Sequence, residues 1–280
     1  MHKILHKKQL NSEICLLEFE AADISKVARA GQFLIMRIDE KGERFPLTMY
    51  DWDPLKGSVT VVCQAIGVST KKLCALEQGD SLSDVAGPLG HYTDTANIGR
   101  VLCIGGGVGT AEAYPIAKAM HEAGNDVEVI IGARTKDLVI CEDEIKAFCG
   151  KVHVTTDDGS YGTKGFVTDV MKRLMEKNAY DLIFAIGPVI MMKMVSELTR
   201  GTGVKTLVSL NSIMIDGTGM CGVCRIKYGS APKFACVDGP EFDGHLVDFD
   251  DLVTRQKQYK KQEGDALGRY EHTCRIGLGK

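Results

Sequence analysis

The chain lacks any apolar run of the roughly 18 to 20 residues that a bilayer-crossing helix requires, and no apolar stretch of signal-peptide length follows its start. A membrane protein and a secreted protein are therefore not expected, and a cytoplasmic one is. An excess of either charge is also missing: 34 Lys plus Arg face 37 Asp plus Glu, for a net charge of −3. With its basic residues dispersed, the chain offers no electrostatic footprint for nucleic acid. Internal repeats and low-complexity tracts are absent, which excludes solenoids and long disordered segments. No nucleophile–base triad or paired-carboxylate motif stands out, and the seven histidines are scattered. What remains is ordinary globular material, 280 residues with 44% hydrophobic and 25% charged side chains, long enough for two domains and a small appendage.

Ten cysteines are present, and without a secretory signal they point to a reducing compartment where thiols serve as ligands or core residues. Cys15, Cys63, Cys74 and Cys103 sit in apolar runs such as "VVCQAI" and "RVLCIGGG" and are expected in the core. "DGTGMCGVC" at 216–224 is different. Plant-type iron–sulfur spacing is C-x4-C-x2-C followed by a distant cysteine. Laid over Cys221, Cys224 and Cys236, that frame puts Asp216 in the first ligand position, D-x4-C-x2-C-x11-C. A carboxylate carries the same single negative charge as a thiolate, so the formal charge of the site is kept. Gly217, Gly219 and Gly222 allow the backbone to wrap closely around a cluster. Asp216, Cys221, Cys224 and Cys236 are thus the expected ligands of a 2Fe–2S cluster. Cys274 is the alternative fourth ligand, and zinc the alternative metal.

Read for organisation, residues 1–98 show short apolar or alternating runs ("EICLLEFE", "QFLIMRI", "SVTVVCQAI") separated by turn chemistry, the pattern of a small antiparallel β barrel. Residues 99–207 alternate strand and helix patterns, which predicts an α/β domain with a parallel sheet. A glycine-rich segment follows at 208–245, then a charged tail at 246–280 that is either solvated or a docking element. "CIGGGVGT" lies between a strand and a helix, where Gly105, Gly106, Gly107, Val108 and Gly109 can bring backbone amides to a pyrophosphate. The third glycine of the usual dinucleotide fingerprint is replaced by Thr110. Asp157 and Asp158, at the end of the strand "KVHVTT", suit ribose hydroxyls and repel a 2′-phosphate, whereas Arg134 and Lys164 favour one. Both aspartates are also common turn residues. NADH is the expected nucleotide.

"RFPLT" at 44–48, "GVSTKKL" at 67–73, "GPLG" at 87–90, "GGGVGT", "GAR" at 132–134 and "GPVIMM" at 187–192, taken in order, resemble the ferredoxin reductase-like flavoproteins across nearly the whole chain. That resemblance implies a barrel that binds FAD beside a domain that binds NAD(H). It places Arg44, Pro46, Leu47 and Thr48 along the flavin, Gly67 and Thr70 at its pyrophosphate, and Arg134, Gly187, Pro188 and Met191 in the nucleotide site. A guanidinium fork suits a diphosphate, although Arg44 also reads as a surface charge and Thr70 as a turn residue. "SLNSIMIDGTGMCGVCRI" and "FACVDGPEFDGHLVDFDDL" are similar to the small subunits of NADH-dependent reduced ferredoxin:NADP oxidoreductases, in which an Asp and three Cys hold the cluster. The electron-transfer subunits of dihydroorotate dehydrogenase, with four cysteines in this frame, are the alternative. The resemblance implies a larger partner subunit with FAD and 4Fe–4S clusters, and ferredoxin as a more distant participant.

Overall fold

The computed structural model describes the backbone of residues 1–275 and side chains through His272. Seven strands build the first sheet: β1 His2–Gln9, β2 Ile14–Glu20, β3 Phe33–Arg37, β4 Phe45–Asp53, β5 Ser58–Gln64, β6 Ser81–Leu82 and β7 Asp84–Leu89. Their order is β6-β1-β2-β5-β4-β3-β7, with every pairing antiparallel. The two edge strands β6 and β7 are joined through Ser83 alone, whose N–H donates to the Ile38 carbonyl, so the sheet curls into a nearly closed barrel. Inward-facing Ile4, Leu17, Phe19, Leu34, Met36, Met49, Val59 and Val61 fill it. Two short helices, α1 Ala22–Ser25 and α2 Val68–Ala75, sit in its connections.

The second sheet follows from strand–helix alternation: β8 Arg100–Gly106, α3 Gly109–Glu122, β9 Asp126–Ala133, α4 Glu142–Lys146, β10 Val152–Thr156, β11 Thr163–Lys164, α5 Val167–Met175, β12 Leu182–Ile186, α6 Val189–Thr199 and β13 Lys205–Ser209. The strands run parallel in the order β11-β10-β9-β8-β12-β13. Helices cover both faces, so the central strands are continuous apolar runs and not alternating ones. Along β8, Leu102 and Ile104 pack with α5 and α6, while Val101 and Cys103 pack with α3. The strand order reverses between β8 and β12, and the crevice beyond their carboxyl ends is where open α/β sheets take ligands.

Past β13 the chain leaves the sheet for a glycine-rich loop, the hairpin β14 Arg225–Tyr228 and β15 Ala231–Phe234, and α7 Ala235–Asp238. It then returns as β16 Glu241–Asp243, antiparallel to β13, before α8 Phe249–Gln256 and α9 Lys260–Arg275. This excursion leans on the barrel: Met214, Cys224 and Cys236 share a buried cluster with Phe33 and Ile35 of β3. The barrel also meets α3, because Ile14, Tyr50 and Val62 bury against Ala111, Ala113 and Ile116. Among the described residues no helix is long and apolar enough to cross a membrane.

Candidate functional site

Between the barrel and the carboxyl ends of β8 and β12 lies a cleft of about 770 Å³. Its floor is the turn Gly106, Gly107, Val108 and Gly109, facing Gly187, Pro188 and Met191 from the β12–α6 turn, and its barrel wall is Ile14, Gln64 and Ile66. At Gly106 and Gly109 the floor has no room for a side chain. A Cβ on Gly106 would stand 2.4 Å from Met191 Sδ, and one on Gly109 would stand 2.6 Å from the Ile186 carbonyl oxygen. Gly107 adopts φ +59°, a left-handed conformation that glycine takes without strain. A bare backbone at the N-terminus of a 14-residue helix is a fitting cradle for a pyrophosphate.

The other expected nucleotide residues divide. Arg134 and Asp157 line the cleft, whereas Gly105, Thr110, Asp158 and Lys164 do not. Asp158 is occupied as a turn residue: its carboxylate accepts from Ser160 N–H at 2.9 Å and Ser160 Oγ at 2.7 Å, which hold it below the usual carboxylate range. Arg134 reaches Glu13 Oε2 at 3.5 Å, so part of its charge is answered by the barrel. The sequence could not separate two adjacent aspartates; the turn after β10 does, by aiming only Asp157 at the cleft.

The residues expected along the flavin lie immediately before β4, on β4 and at the start of α2, and do not line the cleft itself. Arg44 Nη2 pairs with Asp84 Oδ2 at 3.1 Å with both side chains well exposed. Pro46 and Leu47 face β3 in register with Ile35 and Leu34. Thr70 Oγ1 accepts from the Ile66 and Gly67 amides at 3.1 and 3.0 Å. It therefore caps α2 at Gly67, where a Cβ would meet nothing within 4 Å, leaving an open helix start.

Sequence reading missed Glu112. From the first turn of α3 it enters the cleft, and its Oε2 accepts from Thr48 Oγ1 of β4 at 3.2 Å. Burial pushes this carboxyl up to about 7, and the Thr48 hydrogen bond only partly opposes the shift. Its signal in the sequence was indistinguishable from the acidic residue that any helix favours in its first turn. The folded protein holds the Glu112 proton more tightly than the unfolded chain does. The stability this contributes is complete below about pH 4.5 and is lost as pH rises through about 7. Glu112→Gln, neutral at every pH, is expected to be more stable than wild type at pH 8, by on the order of 2 kcal/mol, with the advantage vanishing towards pH 4.5. Denaturant titrations at the two pH values check this.

At the glycine-rich excursion, Cys224 and Cys236 are both buried, with their sulfurs 3.1 Å apart. Burial, and then the Cys224 thiol beside it, push Cys236 up to about 12. Cys221 is exposed on the same loop. Asp216 accepts from Thr218 Oγ1 at 2.7 Å, Thr218 N–H at 3.2 Å and Met220 N–H at 3.1 Å. Among the described residues no three His, Cys, Asp or Glu side chains converge as a metal site. Two thiols are thus brought together, while Cys221 and Asp216 stay on the loop around them. Three thiols and a carboxylate remain a donor set suited to iron. The loop is pressed onto the barrel, since a Cβ on Gly217 would stand 2.7 Å from both Ile35 Cγ1 and Leu89 Cδ1. The Cys274 side chain lies outside the described residues.

Residues 211–248 match the iron–sulfur cluster binding domain of dihydroorotate dehydrogenase B, and residues 103–197 match the oxidoreductase NAD-binding domain. A Thermotoga maritima homolog of the dihydroorotate dehydrogenase B (NAD+) electron transfer subunit is 46% identical over 98% of this chain and 97% of its own length. A Clostridium beijerinckii protein known only as an uncharacterized protein in the adh 3′ region is 49% identical over 95% and 93%. Among solved structures, a chain of the NADH-dependent reduced ferredoxin-NADP oxidoreductase, studied for flavin-based electron bifurcation, is 44% identical. It superposes with a TM-score of 0.92 over 96% of this chain and 98% of its own.

Proposed function

The chain belongs to the family of dihydroorotate dehydrogenase B electron-transfer subunits, and from that premise we propose that it works as the small subunit of an NADH-dependent reduced ferredoxin:NADP oxidoreductase. It is an NAD(H)-dependent oxidoreductase subunit with FAD and 2Fe–2S as cofactors. The observation that carries the reading is the shared cleft, because one wall comes from the barrel and the other from the nucleotide-binding turn.

The bound flavin and cluster supply the conversion of a two-electron hydride donor into single electrons. The chain supplies position. In this reading Gly106, Gly107, Val108 and Gly109 take the nucleotide pyrophosphate on backbone amides, and Asp157 accepts from the ribose hydroxyls. Ile14, Ile66, Met191 and Met194 keep water from the junction. Arg44, Pro46, Leu47 and Thr48 border the flavin on the barrel side, with Gly67 and Thr70 at its diphosphate. Asp216, Cys221, Cys224 and Cys236 hold the cluster against β3 and β7. The partner is a larger, cytoplasmic subunit with its own flavin and 4Fe–4S clusters, and ferredoxin exchanges electrons with that subunit. The charged helix α9, tied back to the barrel by Lys71 Nζ–Glu271 Oε1 at 2.7 Å, belongs to the docking face.

Nucleotide choice tests the site. Asp157 repels a third phosphate group and Arg134 is partly neutralised by Glu13, so dye reduction is expected to show a higher kcat/KM with NADH than with NADPH. Asp157→Asn should narrow the gap, by roughly tenfold for about 1.4 kcal/mol of lost repulsion. Equal values in the wild type would mean that Arg134 governs the pocket. A colourless, zinc-loaded preparation would sink the electron-transfer reading. The identity of a co-purifying larger subunit separates this oxidoreductase from a dihydroorotate dehydrogenase.

A further inference from the structure

Three cysteines expected only to fill the core gather at one point of the barrel. Cys15 on β2 and Cys63 on β5 are direct cross-strand partners, both fully buried. Cys74, in the last turn of α2, comes down on them from outside and is only half-buried. Its sulfur is 2.7 Å from Cys15 Sγ and 3.6 Å from the Cys63 carbonyl oxygen. Two thiols in ordinary contact stand farther apart than that, and the Cys224 and Cys236 sulfurs are 3.1 Å apart.

The geometry points to Cys15 and Cys74 as a reversible thiol–disulfide modification site, oxidised by a low-molecular-weight disulfide and separate from the electron-transfer chemistry. The protonation pattern supplies an attacking group and a resolving group. Hydrogen bonds from Cys15 and then Cys63, helped by the nearby Lys7 ammonium, bring Cys74 down to about 4, a thiolate at neutral pH. Cys15, hydrogen-bonded to that sulfur and buried, is pushed far up and keeps its proton. Accessibility matches the order of events, because the nucleophile belongs to the less buried of the two residues.

The exchange balances. Cys74 thiolate attacks the disulfide RSSR, forming Cys74–S–S–R and releasing RS⁻. Cys15 then gives up its proton and attacks the Cys74 sulfur, forming Cys15–S–S–Cys74 and releasing the second RS⁻. Starting from the Cys74 thiolate and the Cys15 thiol, the protein loses two electrons and one proton, and RSSR leaves as one RSH and one RS⁻, the latter taking its proton from solvent. The bond would staple α2 to β2. Because the turn that opens α2 begins at Ile66, a cleft residue, the staple also fixes that part of the barrel wall.

Trypsin makes the test direct, since Cys15, Cys63 and Cys74 fall on separate peptides, 9–26, 57–71 and 73–100. The full chain with its cofactors is treated with oxidised glutathione, alkylated under denaturing conditions, digested and mapped by mass spectrometry. Peptides 9–26 and 73–100 are expected as one cross-linked species that dithiothreitol separates. Cys63→Ala should leave the link in place, and Cys74→Ala should leave peptide 9–26 alkylated. Recovery of 9–26 and 73–100 separately alkylated, a link from 9–26 to 57–71, or glutathione persisting on Cys74 would each overturn the assignment. If Cys74→Ala fails to fold, the wild-type and Cys63→Ala maps still decide it. Dye reduction by the untreated protein is scored separately, so a failed electron-transfer reading leaves this result standing.

Discussion

Asp216→Ala is expected to cost the protein its iron–sulfur cluster while FAD stays bound. Two roles compete for this carboxylate, and each predicts a loss on truncation. As a fourth ligand it completes the set with Cys221, Cys224 and Cys236. As a loop cap it accepts from Thr218 N–H, Thr218 Oγ1 and Met220 N–H, and these hydrogen bonds, led by the Thr218 hydroxyl, hold its pKa below the ordinary carboxylate value. Asparagine and cysteine separate the roles. Asp216→Asn keeps an oxygen acceptor for the loop but removes the charge. Asp216→Cys gives up good acceptor geometry and restores the plant-type frame with a fourth thiolate. If Asp216 is a ligand, the cysteine variant keeps a 2Fe–2S cluster with a shifted electron paramagnetic resonance signal, because thiolate and carboxylate donate differently to iron. The asparagine variant then loses iron. If it is only a cap, asparagine keeps full iron with an unshifted signal and the ligand assignment falls. Cys274→Ala should leave iron content unchanged, and loss of the cluster there would move the fourth ligand to the C-terminal helix.

Much of the architecture was legible because burial leaves a periodic trace. β2, β3 and β5 showed as apolar runs, and β8, β9 and β12 as the uninterrupted runs of a sheet covered on both faces. β4 did not show: "FPLTMYDWD" carries a proline and two aspartates and read partly as turn chemistry. It is a strand because β3 and β5 flank it, so tertiary pairing overrides the local preference. β1, "HKILHKKQ", was equally hidden. Only Ile4 of this strand is buried, which leaves no alternation to read. Thr70, which also read as a turn residue, instead caps α2 at Gly67.

The chemistry was legible where it is local in sequence and obscure where it is not. The glycine turn that floors the cleft sits within a short stretch. Glu112 meets Thr48 across 64 residues, and Cys74 meets Cys15 across 59; neither meeting leaves a mark on the residues beside it. The orientation of Asp157 against Asp158 depends on one turn that also places Ser160. In each case the missing information is the direction of a side chain after the chain has folded back, which periodicity does not encode.

Gly109→Ala is expected to lower both stability and NADH affinity, although it adds one methyl group to a position where alanine is ordinarily the better helix former. The conflict is steric and has no flexible partner. The new Cβ would meet the Ile186 carbonyl oxygen at 2.6 Å and Gly187 Cα at 2.9 Å, backbone atoms at the end of β12. Overpacking of this kind costs about 1 to 3 kcal/mol, which a helix-propensity gain of about 1 kcal/mol does not offset. Relief requires α3 to move away from β12, and that opens the crevice whose floor is Gly106, Gly107 and Gly187. Gly107 provides the contrast, for a Cβ there meets nothing within 4 Å, and its constraint is φ +59° alone. Asparagine visits that left-handed region more readily than alanine does. Gly107→Asn should therefore keep nearly the wild-type melting temperature, and Gly109→Ala should lose several degrees and raise KM for NADH by about tenfold, the equivalent of about 1.4 kcal/mol. Thermal melts and dye-reduction kinetics on the two variants measure both effects. An unchanged melting temperature and KM in Gly109→Ala would mean that α3 and β12 can part without disturbing the nucleotide site, and the crevice would lose its place as the binding floor.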